Sequence, residues 1–91
     1  MTVTKQLALL NKYGMHVRPA GALAKTCQKY MSDVKVSRGG ASVSGKSVLG
    51  LMTLEAPVGT VLTISADGAD AAEAMAEIEE LINNHFGIAD E

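Results

Sequence analysis

The sequence has very few of the residues on which disulfide-rich, zinc-binding and nucleic-acid-binding proteins depend. Its single cysteine, Cys27, excludes an internal disulfide, and no cysteine–histidine cluster has the spacing of a zinc site, so we expect no metal. Tryptophan is absent and aromatic residues make up 3% of the chain, too few for a surface that stacks on bases. The net charge of −2 leaves no basic surplus, so we expect no nucleic-acid partner.

Long apolar stretches are missing as well. No run approaches the ~18 apolar residues of a membrane span, and residues 1–6 lack the apolar core of a signal peptide. We therefore expect no membrane insertion and a cytoplasmic location. Apolar residues make up 47% of the chain and charged residues 20%, which is ordinary for a globular protein, and a length of 91 residues predicts one domain over residues 1–91.

The apolar pattern predicts seven elements in the order strand, helix, strand, strand, helix, strand, helix. Alternation over residues 3–9 and a β-rich run over residues 61–66 indicate the first and last strands, and residues 38–40 are typical of a hairpin turn. Because proline is tolerated in a first turn, Pro19 predicts a helix that begins near His16. This order predicts an α+β open-faced sandwich, in which three helices cover one face of a four-stranded antiparallel sheet.

Two of the predicted helices carry a buried stripe. The stripe of the first helix comprises Ala20, Leu23, Ala24, Cys27 and Met31, and that of the last helix comprises Ala71, Ala74, Met75, Ile78, Leu81 and Ile82. Asp70 and Glu73 resemble a capping box at the start of the last helix, and Gly87 has the place of its C′ residue. Gly14 is the expected special-dihedral position before the first helix, and residues 87–91 are expected to fray.

A short helix is predicted after Ser47, whose hydroxyl is suited to cap it. The apolar residues of this helix are Val48, Leu49, Leu51 and Met52, and a turn and a half of helix cannot bury all four against one sheet face. We expect Leu51 inside and at least Leu49 and Met52 partly exposed. Such an exposed apolar patch predicts a surface for a partner protein.

His16 has two interpretations at its predicted place between a loop and a helix start. It could simply be a polar residue that caps the helix. Alternatively, the helix N-terminus attracts anions, Arg18 offers a planar cation suited to phosphate, and a neutral imidazole is a nucleophile near physiological pH. Together these features suit a transient phosphohistidine. We interpret Lys46 as a solvated charge, His85 as a cation near the end of the last helix, and Cys27 as a core residue.

Two segments resemble signatures of the HPr family, the histidine-containing phosphocarriers of the bacterial phosphoenolpyruvate-dependent phosphotransferase system (PTS). Residues 11–20, NKYGMHVRPA, are similar to the active-site segment of the family. Residues 45–54, GKSVLGLMTL, resemble its regulatory-serine segment. The element order agrees, and the resemblance covers essentially the whole chain. Tyr13 stands at a position where members of the family vary.

The resemblance implies a role for each matching residue. His16 would accept a phosphoryl group at Nδ1 from phosphorylated enzyme I and pass it to a histidine of an enzyme IIA domain, with Arg18 stabilising the group during transfer. Ser47 matches the serine that HPr kinase/phosphorylase modifies in many bacteria. The surface that binds enzyme I and enzyme IIA would comprise Val48, Leu49, Met52 and Lys25.

The resemblance thus implies a phosphocarrier rather than an enzyme, acting as a monomer in sugar uptake without a cofactor. Two alternatives stay open. One is a nitrogen-branch carrier, which shares the active-site motif and works with regulatory partners. The other is an interaction module in which His16 is only a helix cap. The presence of His16 argues against a regulatory paralogue in the family that lacks this histidine.

Overall fold

The computed structural model describes residues 1–88 and has its elements in the predicted order. They are β1 (Thr2–Ala8), α1 (Val17–Gln28), β2 (Asp33–Arg38), β3 (Ala41–Ser44), α2 (Val48–Thr53), β4 (Val61–Asp67) and α3 (Ala71–Asn83). A short 3₁₀ turn, His85–Gly87, follows α3. The predicted fold class is confirmed.

The sheet has the strand order β1-β4-β2-β3, and every neighbouring pair is antiparallel. β4 is therefore a central strand that pairs with β1 on one side and β2 on the other. Along β4, Leu62, Ile64 and Ala66 are buried beneath the helices, whereas Thr63 and Ser65 alternate with them on the partly exposed face. One face of the sheet is covered by helices and the other is open, as predicted.

α1 begins directly after His16 and has Pro19 as its third residue, as the proline predicts. Four residues of the predicted stripe are confirmed as buried: Ala20, Leu23, Ala24 and Cys27. The prediction is wrong for Met31, which is 90% exposed. The physical reason is that α1 ends at Gln28, and the next two backbone amides bond to carbonyls only three residues back, which closes the helix before Met31.

Gly21 lies inside α1 with room for a side chain, since an added Cβ would meet no heavy atom of the described residues within 4 Å. We expect Gly21→Ala to raise the free energy of unfolding by about 1 kcal/mol, because alanine loses less backbone entropy in a helix. Urea unfolding measures this change. Gly45→Ala is the matched control and should destabilise, because its Cβ would lie 2.7 Å from Cγ1 of Val34. An unchanged or lower stability of Gly21→Ala would contradict the prediction.

Asp70 precedes α3 but, within residues 1–88, its carboxylate makes no capping hydrogen bond to that helix. The capping-box prediction is wrong because the loop between α1 and β2 offers better-placed donors. The carboxylate accepts from the backbone amides of Met31 and Ser32, each at 2.9 Å, and from the Ser32 hydroxyl. Hydrogen bonds from the Ser32 hydroxyl and then the Met31 amide hold the pKa of Asp70 below its usual range.

A carboxylate within α3 reinforces this connection. Glu77 accepts hydrogen bonds from Nζ of Lys29 and the hydroxyl of Tyr30, at the end of α1 and just beyond it. The bonds from Lys29 and then Tyr30 lower the pKa of Glu77. The end of α1 and the loop after it are therefore attached to α3 and its N-cap residue by two ionised carboxylates.

These carboxylates predict a loss of stability in acid. Both pKa values are lower in the folded than in the unfolded chain, so the stabilisation is complete above the ordinary carboxyl range. It declines as the pH falls through that range and is lost below the lowered folded values. We expect thermal unfolding midpoints to drop between pH 6 and pH 3, values chosen to bracket the ordinary carboxyl range. Asp70→Asn should be less stable at neutral pH and show a smaller drop; a drop equal to that of the native chain would contradict the role of Asp70.

The chain after α3 differs from its prediction. α3 ends at Asn83, so Gly87 is not its C′ residue; Gly87 instead closes the 3₁₀ turn with φ +69°. Buried Phe86 anchors this turn to the core. The backbone amides of Gly87 and Ile88 donate to carbonyls three residues back, so the predicted fraying is wrong for these two residues. The rest of the predicted tail, 89–91, lies outside the described residues.

The stripe of α3 is confirmed with one difference. Five of its residues are buried: Ala71, Ala74, Met75, Ile78 and Ile82. Leu81 is half-buried and packs against the edge of the core. The helix thus supplies the layer that covers β1 and β4.

Candidate functional site

A tight turn precedes α1 and is shaped by Gly14. This residue has φ +68°, and an added Cβ would lie 2.2 Å from the carbonyl oxygen of Ala56, so both conformation and space require glycine. Buried Asn11 closes the turn, because its side-chain Nδ2 donates to the Gly14 carbonyl at 2.7 Å and its backbone carbonyl accepts from the Gly14 amide. The prediction of a special-dihedral position at Gly14 is confirmed.

The same turn fixes the backbone of His16. The amide of Met15 donates to the carbonyl of Ala56 at 2.8 Å, and the Met15 side chain is buried. The amide of His16 donates to the Gly14 carbonyl, while the carbonyl of His16 accepts the first hydrogen bond of α1, from Ala20. His16 is therefore the N-cap residue of α1, held on both sides by backbone bonds.

The side chain of His16 is half-buried beside Tyr13. The two rings meet edge to face, with centroids 6.1 Å apart and planes at 82°, and Nζ of Lys12 lies 5.4 Å from the centre of the Tyr13 ring. Among residues 1–88, the imidazole makes no capping hydrogen bond to α1. His16 therefore holds the N-cap position through its backbone, with its ring against Tyr13.

The first turn of α1 follows His16 directly and contains a cationic residue and helix-start amides. Arg18 is the second helical residue and is exposed. The amides of Val17 and Arg18 have no carbonyl partner within α1, because they belong to its first turn. They point out of the N-terminal end of the helix. With the positive end of the helix dipole, they provide an environment that favours an anionic group next to the imidazole.

α2 presents the predicted apolar surface. Oγ of Ser47 accepts from the Gly50 amide at 3.0 Å, so the predicted N-cap is confirmed. Leu51 is fully buried, whereas Leu49 is 79% exposed and Met52 is 38% exposed, as expected. Val48 is half-buried and packs against the core.

α2 runs alongside α1 in the opposite direction. At its start, Nε2 of Gln28 donates to the Lys46 carbonyl at 2.9 Å, and Nζ of Lys46 donates to the Tyr30 carbonyl at 2.8 Å. Beyond its end, the Ala56 carbonyl bonds to the turn before α1. The interpretation of Lys46 as a solvated charge is wrong, because its ammonium joins the segment before α2 to the loop after α1. Lys25 is exposed on α1.

The structure assigns the remaining candidate groups to other roles. Cys27 is a core residue as expected, and burial raises the pKa of its thiol to about 12. Over residues 1–88, no three His, Cys, Asp or Glu residues lie close enough together to hold a metal ion. In the same part of the chain, no helix is long and apolar enough to span a bilayer. His85 lies in the 3₁₀ turn after α3.

Known proteins share both the sequence pattern and the fold. A family model described as "PTS HPr component phosphorylation site" matches residues 3–84. Phosphocarrier protein HPr of Neisseria meningitidis is 41% identical over 83 residues, covering 91% of this chain and 93% of the relative. The crystal structure of HPr-C-His from Thermoanaerobacter tengcongensis superposes with a TM-score of 0.91 at 33% identity, over 96% of this chain and 98% of that one. A crystal structure of an HPr dimer from the same organism has a TM-score of 0.77 at 35% identity, covering 90% and 94%.

Proposed function

Because this chain belongs to the HPr family of PTS phosphocarriers, we propose that it carries the phosphoryl group on His16, from phosphorylated enzyme I to a histidine of an enzyme IIA domain in sugar uptake. The chain is a phosphocarrier protein and not an enzyme. The observation that carries the proposal is the placement of His16 at the N-cap of α1, two residues before Arg18 in the first turn of that helix.

In this proposal, the lone pair of Nδ1 of His16 attacks phosphorus while the bond between phosphorus and the donor breaks. The amides of Val17 and Arg18 and the Arg18 guanidinium stabilise the phosphoryl oxygens, whose negative charge the helix dipole also favours. The group leaves by the reverse process when the acceptor attacks. The rigid turn that ends in Met15 keeps the imidazole in place, so little reorganisation is needed at either transfer.

The test of the proposal is incubation of the chain with enzyme I and phosphoenolpyruvate, followed by mass spectrometry. A carrier gains one phosphoryl group that is lost in acid and is passed on when enzyme IIA is added. A chain that gains no phosphoryl group would refute the proposal and favour a simple interaction module. Transfer only to a regulatory, nitrogen-branch IIA would replace sugar uptake by the nitrogen branch.

We further propose that both partners bind the surface formed by Val48, Leu49, Met52 and Lys25. The support is the exposure of Leu49 and Met52 on a helix that runs toward the His16 turn. Shared use of one surface also favours a monomer, because a carrier must leave it open to each partner in turn.

The docking surface predicts that charge at Leu49 weakens both partners together. We expect Leu49→Glu to lower phosphotransfer from enzyme I and to enzyme IIA by about tenfold or more, because desolvating a carboxylate against an apolar partner is costly. Val61→Glu is the matched control, since Val61 is also exposed but lies on the open face of the sheet. Competition assays with each partner measure the effect. Loss of only one partner would show that the two surfaces are separate.

Ser47 is proposed as a regulatory phosphorylation site for a kinase of the HPr kinase/phosphorylase type. Its hydroxyl lies at the first turn of α2, directly before the apolar docking surface. A phosphate there would add about −1.5 to −2 charges at neutral pH beside Val48 and Leu49.

A further inference from the structure

The C-terminal end of α2 is held by a side chain from the sheet. Arg38, the last residue of β2, donates from Nη1 to the carbonyl oxygens of Leu54 and Glu55, at 2.8 and 2.9 Å. Arg38 follows buried Val36 by two residues, so its side chain leaves the sheet on the face that the helices cover. This contact joins the β2–β3 hairpin to the segment directly after α2.

A cation is well suited to this end of α2. The last carbonyls of a helix have no partner within it, and α2 has no basic residue in its last turn. Glu55 then adopts φ +49°, a left-handed conformation that glycine usually provides after a helix. The Arg38 guanidinium donates to the carbonyls of Leu54 and Glu55, and it brings positive charge to the negative end of the helix dipole.

The same segment also reaches the phosphoryl-acceptor turn. The carbonyls of Leu54 and Glu55 accept from Arg38, and the next carbonyl, that of Ala56, accepts from the amide of Met15 at 2.8 Å. Met15 directly precedes His16. Three consecutive carbonyls thus connect the Arg38 guanidinium to the backbone next to His16. A movement of residues 54–56 would therefore displace both the end of α2 and the His16 turn.

We propose that Arg38 is a positioning residue for phosphotransfer, which holds residues 54–56 so that the docking helix α2 and the His16 turn keep a fixed relative placement. A helix of six residues is too short to be stable alone, and Leu51 is its buried anchor. Arg38 fixes the end of α2 that Ser47 does not, and this end lies nearer to His16. The kinetic part of this inference rests on the proposed function.

The test compares Arg38→Met with Lys35→Met, which removes the same charge from the open face of the same strand. We expect Arg38→Met to raise the KM of enzyme I for the chain by about tenfold, with a smaller change in kcat. The reason is that two hydrogen bonds from a cation to residues 54 and 55 are lost. Hydrogen exchange at the Met15 amide should become faster. Arg38→Lys should recover part of both, since an ammonium keeps the charge and three donors, while Lys35→Met should match the native chain.

A native KM together with native exchange at Met15 in Arg38→Met would overturn the inference. An equal rise of KM in Lys35→Met would do the same, because it would trace the effect to net charge. If Arg38→Met does not fold, Arg38→Lys decides: partial loss in both readouts supports the inference and none overturns it. If enzyme I does not label the native chain, the proposed function fails, while Met15 exchange still decides whether Arg38 holds the segment.

Discussion

Replacing His16 by alanine should abolish the acid-labile phosphorylation of the chain by enzyme I and phosphoenolpyruvate. The imidazole supplies the nucleophile, and no side chain of the first turn of α1 can replace it, since a guanidinium offers hydrogen-bond donors but no lone pair to attack phosphorus. The fold should be kept, because the contacts that fix this position come from the backbone amide and carbonyl of His16. Mass spectrometry under mildly alkaline conditions measures the label, and thermal unfolding measures the fold.

The chain offers a matched control, because it contains two histidines. His85 lies in the 3₁₀ turn after α3, and His85→Ala should be phosphorylated as fast as the native chain. Full labelling of His16→Ala would refute the assignment of the acceptor. Loss of label in His85→Ala alone would move the acceptor to the other end of the chain.

Ser47→Asp should lower phosphotransfer from enzyme I by about tenfold or more while the thermal stability stays native. Aspartate is itself a good N-cap, and its charge is favourable at the positive end of the α2 dipole, so the helix should tolerate it. The loss falls on docking, because the carboxylate lies next to Val48 and Leu49. We also expect it to repel an acidic partner surface.

Two further variants separate the regulatory role of Ser47 from its role as a cap. Ser47→Ala should keep phosphotransfer but lose about 1 kcal/mol of stability, because the hydrogen bond to the Gly50 amide disappears. Ser42→Asp adds the same charge on the open face of the sheet and should leave transfer unchanged. If Ser47→Asp transfers at the native rate, Ser47 is only a helix cap.

Local patterns were sufficient to predict much of the fold and the positions of several candidate-site residues. Pro19 and the apolar stripe located α1, and the short length of α2 predicted that Leu49 and Met52 would be exposed. Ser47 was identified as the N-cap of α2, and its hydroxyl accepts from an amide only three residues away in sequence. In each case the features that decide the structure lie close together in the chain, so periodicity and capping preferences are enough to predict them.

The contacts that sequence reasoning missed join residues far apart in the chain. Asp70 has the composition of a helix cap, but its partners Met31 and Ser32 come from a loop that only the tertiary fold brings near. Arg38 was interpreted as part of a hairpin turn, and Lys46 as a solvated charge. Both side chains donate to backbone carbonyls. Every residue has a backbone carbonyl, so no sequence pattern predicts which one will be the acceptor.

The position of β4 in the sheet has a consequence for biosynthesis. β1 is made before β4 and, among the described residues, pairs only with β4, through residues 2–8 and 61–67. β4, one of the two inner strands, follows the other three described strands in the chain, so a nascent chain that stops before it cannot close the sheet. The Ala56 carbonyl that supports the His16 turn also arrives late. We therefore expect a chain that lacks residues 56–67 to have neither the closed sheet nor the support of the His16 turn, and to accept no phosphoryl group.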